Sequence, residues 1–192
     1  MNNRILLLLC TLITFCMPAH ALQIEGIEIP ETIRSGDGET GLVLNGAGLR
    51  EKFYVDVYVA ALYLQARTPD AAAILSDDGP ASVTMNIIYS ELSKKKITDG
   101  WIDGLDDNTT SSERKTIQPR LEAFNKLFTA MKKGDVLRID YTPANGTEVR
   151  LNGEWRGSVE GNDFFRALLK VWLGSDPVSK SLKQDMLGGN SS

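Results

Sequence analysis

Arg50 is the side chain whose chemistry raises the first question, because it stands beside a segment that the sequence marks as buried. The glycine-rich stretch NGAG, residues 45–48, is expected to form a turn before it, and the apolar run of residues 53–64 follows it. An isolated charge near a buried strand is costly unless a partner neutralises it. That partner is either a nearby carboxylate such as that of Asp56, which gives a structural ion pair, or an anionic ligand gripped by the planar guanidinium.

The amino-terminal residues carry the pattern of a cleaved signal peptide. A short basic start is followed by an apolar core at residues 5–17 and by the small residues Ala19 and Ala21. This pattern predicts a signal peptide over residues 1–21, cleavage before Leu22 and export to the periplasm. The apolar core is short for a membrane span, so an uncleaved anchor is the weaker alternative.

Removal of that segment takes both cysteines and the only histidine of the chain, Cys10, Cys16 and His20. The mature chain would then have no thiol nucleophile, no imidazole base, no disulfide and no zinc site built on Cys or His. The carboxylate cluster Asp103, Asp106 and Asp107 lacks the ligand spacing of a calcium loop and is expected to be a solvated helix end, so we expect no cofactor and no metal site.

The mature chain of 171 residues is long enough for one domain with a substantial core, predicted over residues 22–188, with a disordered polar tail at residues 189–192. Its 20 basic and 25 acidic residues give a formal charge of −5, which disfavours a nucleic-acid partner. The one basic cluster, SKKK at residues 93–96, is expected to lie on a solvated helix face. No other apolar run is long enough to span a membrane once the signal is cleaved.

The hydrophobic periodicity predicts an α+β fold, a mainly antiparallel sheet with helices packed on one side. Residues 53–64 alternate as a strand buried on both faces. Asn145-Gly146 and Asn152-Gly153 predict two hairpins that join three later strands. Further strands are predicted at residues 22–30, 40–48 and 82–90. Helical stripes are predicted at Ile97–Trp101–Ile102–Leu105, at Ile117–Leu121–Phe124–Phe128–Met131 with Pro119 in the first turn, at Phe165–Leu168–Leu169–Trp172, and after Asp176-Pro177.

Four sequence blocks in fixed order resemble the chalcone isomerase superfamily, and in particular its bacterial secreted branch, the chalcone isomerase-like domain proteins. They are NGAGLREKFYVDVYVAALYL, KKGD, LNGEWRGSVEGNDFFRALLKVWLG and DPVSKSLKQDMLG. Each block alone contains common strings such as LNG or WLG, so the resemblance rests on all four blocks occurring in this order. The resemblance implies an open-faced β-sandwich with a ligand cleft between the sheet and the helical layer. It leaves function open, because the superfamily contains isomerases, fatty-acid-binding proteins and non-catalytic helpers.

The resemblance also implies roles for individual residues. Arg50 falls at the superfamily arginine, which stabilises an enolate in the enzymes and grips a carboxylate in the fatty-acid binders. Tyr58 replaces the catalytic threonine of the enzymes and resembles the binders, where a tyrosine helps to hold the carboxylate. A core tyrosine is nearly as good an interpretation of Tyr58. Tyr89 and Trp101 are further candidates for the cleft wall, with a core role favoured for each.

The helix that carries catalytic side chains in the enzymes is altered in this chain. The enzymes' tyrosine and asparagine align with Ile97 and Gly104, neither of which has a side-chain hydrogen-bond donor. The sequence therefore favours a non-catalytic protein that binds a fatty-acid-like carboxylate at Arg50, Tyr58, Tyr89 and Trp101.

Two alternatives stay open beside this hypothesis. One is an isomerase or intramolecular lyase that uses Arg50 as an oxyanion stabiliser. The other is a partner-binding envelope protein, which an exposed apolar patch around Phe164, Phe165 and Trp172 would favour. The protein partner of such a surface, if there is one, is unknown.

Overall fold

The computed structural model describes residues 22–189, so the predicted signal peptide and residues 190–192 of the predicted tail lie outside the described residues. The strands are β1 Leu22–Ile24, β2 Ile27–Ile29, β3 Thr32–Arg34, β4 Gly41–Lys52, β5 Val55–Leu64, β6 Ala81–Ile87, β7 Glu91–Leu92, β8 Met131–Lys132, β9 Val136–Thr142, β10 Gly146–Leu151 and β11 Glu154–Val159. The helices are α1 Ala71–Ser76, α2 Lys94–Asn108, α3 Ser111–Lys126, α4 Asn162–Leu173 and α5 Lys180–Met186.

The predicted α+β class is confirmed. Seven strands form one antiparallel sheet in the order β11-β10-β9-β6-β5-β4-β3, which curls into a half-barrel. The helices contribute to a single apolar cluster on one face of this sheet. A smaller cluster on the other face includes residues of the β1–β2 hairpin. The two Asn-Gly hairpins are also confirmed, because they join β9 to β10 and β10 to β11.

Strand β5 divides the two clusters. Tyr58, Ala60 and Leu62 face the helices, whereas Val59, Ala61 and Tyr63 face the smaller cluster. Burial on both faces was predicted from the sequence and holds from Tyr58 onward. A one-residue slip of this strand would exchange its two buried faces, so the register is strongly specified.

The predicted strand does not begin at Phe53. Phe53 and Tyr54 instead form the turn of the hairpin between β4 and β5, with φ values of 52° and 63°. Their side chains are 86% and 97% exposed, so the prediction that both are buried is wrong. Large aromatic side chains rarely adopt positive φ, so nothing in this dipeptide predicts a turn.

The glycine-rich stretch is also not a turn. Gly46 and Gly48 lie inside β4, where helix α5 approaches the strand closely. A Cβ on Gly46 would overlap the carbonyl oxygen of Asp185, and a Cβ on Gly48 would overlap the Asp185 side chain. Asn45 fastens the same contact, because its Nδ2 donates to the carbonyl oxygen of Met186 at 2.8 Å. The glycines therefore provide space for α5.

Helix boundaries differ from the predictions at three points, two in α3 and one in α5. Helix α3 begins at Ser111, after a capping box between Thr110 and Glu113, so that Pro119 lies inside the helix. The same helix ends at Lys126, and Phe128 and Met131 are buried beyond it rather than on its face. Helix α5 begins at Lys180 with Ser179 as its N-cap, later than the Asp176-Pro177 start that the sequence suggested.

Candidate functional site

A cavity of about 530 Å³ lies between the β4–β5 hairpin, the end of β6 and helices α2 and α4. The four side chains predicted to bind a ligand, Arg50, Tyr58, Tyr89 and Trp101, all line it. The structure thus brings the predicted set together around one space. Contact of any of the four with a ligand stays a prediction.

Arg50 and Tyr58 are register partners on adjacent strands. On one straight strand they would stand about 26 Å apart at 3.3 Å per residue, too far to share a carboxylate. The hairpin turn between them places their Cα atoms opposite each other, at the spacing of about 4.5–5.5 Å that antiparallel partners have. Both side chains can therefore reach one anionic group.

Tyr58 is buried and its hydroxyl already accepts a hydrogen bond. The indole Nε1 of Trp172 donates to the Tyr58 hydroxyl oxygen at 3.1 Å. Since that bond occupies a lone pair of the oxygen, the hydroxyl hydrogen remains available to a ligand. Burial raises the pKa of Tyr58, while the Trp172 hydrogen bond, the Arg50 charge and a hydrogen bond with Arg50 act in the opposite direction. The phenol is therefore protonated, and able to donate, at neutral pH.

Arg50 is half-buried and forms no ion pair with any residue that the structure describes. Its Nη1 donates to the carbonyl oxygen of Glu51 at 2.6 Å. The structural ion pair with Asp56, which the sequence left open, is therefore absent from the described chain. One hydrogen bond to an adjacent carbonyl leaves most of the five donors of a guanidinium free for an anion.

The rest of the cavity wall is mainly apolar. Val57, Met85, Ile97, Met131 and Val171 contribute aliphatic and thioether surface. Apolar walls with a few convergent polar groups are typical of sites for small amphipathic ligands.

Trp101 joins this wall to the core. Its ring packs against Phe124 and Trp172 at centroid distances of 5.6 Å each, both in edge-on geometry. It is 4% exposed, and its Nε1 has no hydrogen-bond partner among the described residues. The predicted core role and the predicted wall role therefore both apply to Trp101.

Tyr89 is half-buried at the mouth of the cavity, where it meets residues that sequence reasoning missed. The Nζ atom of Lys96 lies 5.3 Å from the centroid of the Tyr89 ring. Lys96 and Lys52 both line the cavity. The prediction of a solvated helix face at residues 93–96 holds for exposure, but it missed that Lys96 borders the cavity. Only the hairpin turn and the α2 packing place these lysines at the mouth, so no local signal identifies them.

A family model described as chalcone isomerase-like matches residues 21–188. The chain belongs to the chalcone isomerase-like family. Among solved structures, it is similar to the crystal structure of the Arabidopsis thaliana fatty-acid binding protein AtFAP1, with a TM-score of 0.67 and 18% sequence identity. The alignment covers 88% of this chain and 97% of that chain. At this identity the likeness shows the shared chalcone isomerase-like fold alone. No curated protein sequence matches.

Ile97 and Gly104, the two α2 positions at which the resemblance predicts that the enzymes' catalytic side chains are replaced, differ in their relation to the cavity. Ile97 lines the cavity and offers only an aliphatic surface. Gly104 lies where α2 meets α4, and a Cβ there would stand 2.8 Å from Cγ1 of Val171. An asparagine at position 104 would therefore require the Val171 side chain, or the helix that carries it, to shift.

The proposed partner patch does not exist as an exposed surface. Phe164, Phe165 and Trp172 are all buried in the core beneath the helices. The observation that would have favoured a partner at that surface is therefore missing.

Proposed function

We propose that this protein binds a fatty acid or a similar amphipathic carboxylate in the periplasm and does not transform it. The carboxylate contacts Arg50 and Tyr58, and the acyl chain occupies the apolar part of the cavity. One observation carries this proposal. A permanent cation on β4 and a neutral hydrogen-bond donor on β5 lie opposite each other at an apolar cavity.

The chemistry of the pair suits a carboxylate. A guanidinium provides charge-assisted, planar hydrogen bonds, and a protonated phenol adds a bond without repelling the anion. Trp172 fixes the position of the Tyr58 oxygen before a ligand arrives. A preorganised donor pair loses little conformational entropy on binding.

The size and composition of the cavity support an acyl chain. Its volume of about 530 Å³ falls within the range of about 300–1,000 Å³ common for small-molecule sites. The similarity to a fatty-acid binding protein with the same fold adds support from outside the chain.

The alternative is catalysis of an isomerase or intramolecular lyase type. Arg50 and Tyr58 have the donors to stabilise a developing oxyanion, which is the observation in its favour. The missing donors at Ile97 and Gly104 weigh against it, since a general acid or base typically contributes about 10²–10⁴-fold to rate. We expect negligible ring closure in an absorbance assay with a chalcone substrate. Efficient turnover would favour the alternative.

Calorimetric titration with a medium-chain fatty acid tests the binding proposal. Loss of the charged partner in Arg50→Ala should cost about 2–5 kcal/mol and weaken binding by well over tenfold. Loss of one hydrogen bond to the carboxylate in Tyr58→Phe should cost about 1.5–3 kcal/mol. Trp155→Ser, a change on the edge strand β11 away from the cavity, is the matched control and should bind like the wild type. Equal affinities for all four proteins would overturn the proposal.

A further inference from the structure

The tip of the β4–β5 hairpin has two unusual features, an unfavourable backbone conformation and exposed aromatic side chains. Its turn residues, Phe53 and Tyr54, both have positive φ, a conformation that asparagine and glycine adopt at much lower cost. Both rings are also almost fully exposed. Strained backbone and exposed aromatic surface both reduce stability or solubility, so their combination indicates a function.

The tip projects beyond the sheet. The last register pair between β5 and β6 is Tyr58 with Ile87. The carbonyl oxygen of Val57 still accepts from the backbone N–H groups of Ile88 and Tyr89, and from Asp56 to the turn β5 pairs only with β4. Phe53 lines the cavity, whereas Tyr54 does not. The exposed aromatic surface is thus continuous with the mouth of the cavity.

Basic side chains flank the same mouth. Residues 94–96 are three exposed lysines in the first turn of α2, and this first turn contains no acidic residue. The positive end of a helix dipole repels cations, so this placement is unfavourable in the isolated protein. Lys52 and Lys96 form no ion pair with the described residues, whereas Lys95 pairs with Asp99 at 2.6 Å.

We propose that the hairpin tip, residues 52–55, together with the lysines at residues 94–96, docks onto the surface of an anionic lipid bilayer. Aromatic side chains are favoured at membrane interfaces, and lysines near them attract anionic headgroups. Docking would place the mouth of the cavity at the acyl-chain boundary. The acidic residues Asp99 and Asp103 also border the cavity, so insertion of the two aromatic rings supplies the larger share of the attraction.

The docking surface gives the ligand a route that avoids water. The transfer of a fatty acid between bilayer and cavity rests on the proposed function, whereas attachment to the bilayer does not, because attachment does not require a bound fatty acid. The two claims are therefore separable by experiment.

Co-sedimentation with vesicles, without added fatty acid, tests the docking. The probes are vesicles of phosphatidylcholine with phosphatidylglycerol and vesicles of phosphatidylcholine alone. Wild-type protein should sediment with the anionic vesicles, and Lys52→Gln should lower the partition coefficient by about fivefold, the effect of one lysine at an anionic surface. The double variant Phe53→Asn with Tyr54→Gly should lose at least about tenfold, since binding scales with buried apolar area.

The double variant also reports on folding. Asparagine and glycine suit the positive φ values of the turn, so its thermal midpoint should equal or exceed that of the wild type. Lost vesicle binding with retained stability can then not be attributed to unfolding. Trp155→Ser, which removes a 55% exposed aromatic side chain from the opposite part of the sheet, should leave the partition coefficient unchanged.

The single variant Tyr54→Ser separates the two proposals. It should weaken vesicle binding while the solution affinity for a fatty acid, measured by titration, stays at the wild-type value. Absence of wild-type protein from the anionic vesicle pellet would overturn the docking proposal, as would equal losses in Trp155→Ser and the double variant. Concentration-dependent self-association of the wild type that the double variant loses, without vesicle binding, would instead assign the tip to contact with a second copy.

Discussion

At the scale of residues, the central feature is that Tyr58 has a fixed oxygen and a free proton. Trp172 donates to the oxygen, and burial raises the pKa of the phenol, with Trp172 and Arg50 opposing that rise. The protonated form is the donor, so a raised pKa keeps the donor present across the neutral range and removes it only as pH rises past that raised value. Arg50 carries its charge throughout.

Fatty-acid affinity should therefore be flat from about pH 6 to 9, because the Tyr58 phenol stays protonated there. It should weaken toward about pH 4, where the ligand carboxyl becomes protonated. Calorimetric titration across this range checks the profile, with Tyr58→Phe as the comparison. An alkaline loss that begins below pH 9 in the wild type and is absent in Tyr58→Phe would mean that Tyr58 ionises too early to serve as the donor.

The site could be predicted from the sequence only in part. Arg50 and Tyr58 were identified through resemblance, but their contact depends on a turn formed by Phe53 and Tyr54. No propensity rule identifies that dipeptide as a turn. Trp172 was assigned to the core, as its helical stripe indicates. A buried indole N–H needs an acceptor, yet nothing local in the sequence specifies that Tyr58 provides it.

At the scale of elements, the close packing of α5 on β4 depends on the glycines of β4. Gly46→Ala would set a methyl group against the backbone of Asp185 and 2.8 Å from the amide nitrogen of Gly188, so the helix must shift. We expect a loss of about 1–3 kcal/mol in the free energy of unfolding, measured in urea. Gly41→Ala is the matched control in the same strand, since a Cβ there meets nothing within 4 Å, and it should be neutral or slightly stabilising. Equal effects of the two changes would contradict the close contact.

Glu113 joins α3 to α4. It caps α3 through Thr110, and its Oε1 accepts from Nζ of Lys170 at 3.0 Å. The Thr110 backbone hydrogen bond, the Lys170 hydrogen bond and the Thr110 side chain lower the pKa of Glu113 to about 2. A lowered pKa stabilises the fold above the unfolded value of about 4.3, and that stability is lost as pH falls from there toward about 2.

Glu113→Gln should therefore destabilise the protein at neutral pH by about 0.5–1 kcal/mol, a small value because water screens this half-exposed group. The difference from the wild type should shrink between about pH 4.3 and 2. Urea unfolding across that range provides the measurement. Glu122→Gln, at an exposed position on the same helix, should change the free energy of unfolding by less than about 0.5 kcal/mol. A pH-independent loss in Glu113→Gln would show that packing, not charge, is responsible.

Elements with strong local periodicity were predictable, whereas elements set by distant contacts were not. The stripe Ile97–Trp101–Leu105 and the two Asn-Gly turns led to α2 and the β9–β11 hairpins. Gly46 and Gly48 were interpreted as a turn because the contact that requires glycine there is made by α5, more than 130 residues later in the chain. Pro119 inside α3 was unexpected because a capping signal at Thr110, seven residues before the predicted stripe begins at Ile117, defines the beginning of that helix.

At the scale of the whole molecule, one curled sheet separates a large helical core from a smaller one, and the cavity lies where the hairpin leaves the larger core. None of the helices within residues 22–189 is long and apolar enough to cross a bilayer. The family match spans nearly the same stretch, residues 21–188.

Export remains a prediction at this scale. The protein in the periplasmic fraction should begin at Leu22 and carry no lipid, because the apolar core and the small residues at Ala19 and Ala21 suit signal cleavage. Intact-mass measurement of that fraction decides the point. A mass that retains residues 1–21 would show that the segment is an anchor.

The central claim is that Arg50 binds a ligand and does not stabilise the empty fold. Thermal unfolding of the wild type and Arg50→Met, each with and without a fatty acid, tests it most directly. Arg50 forms no ion pair with the described residues, so the variant without ligand should unfold at or above the wild-type midpoint. Ligand binding to the native state raises the wild-type midpoint by mass action, and this rise should be lost in Arg50→Met. A variant that unfolds much earlier without ligand, yet keeps the full ligand-induced rise, would make Arg50 part of the scaffold and contradict the account.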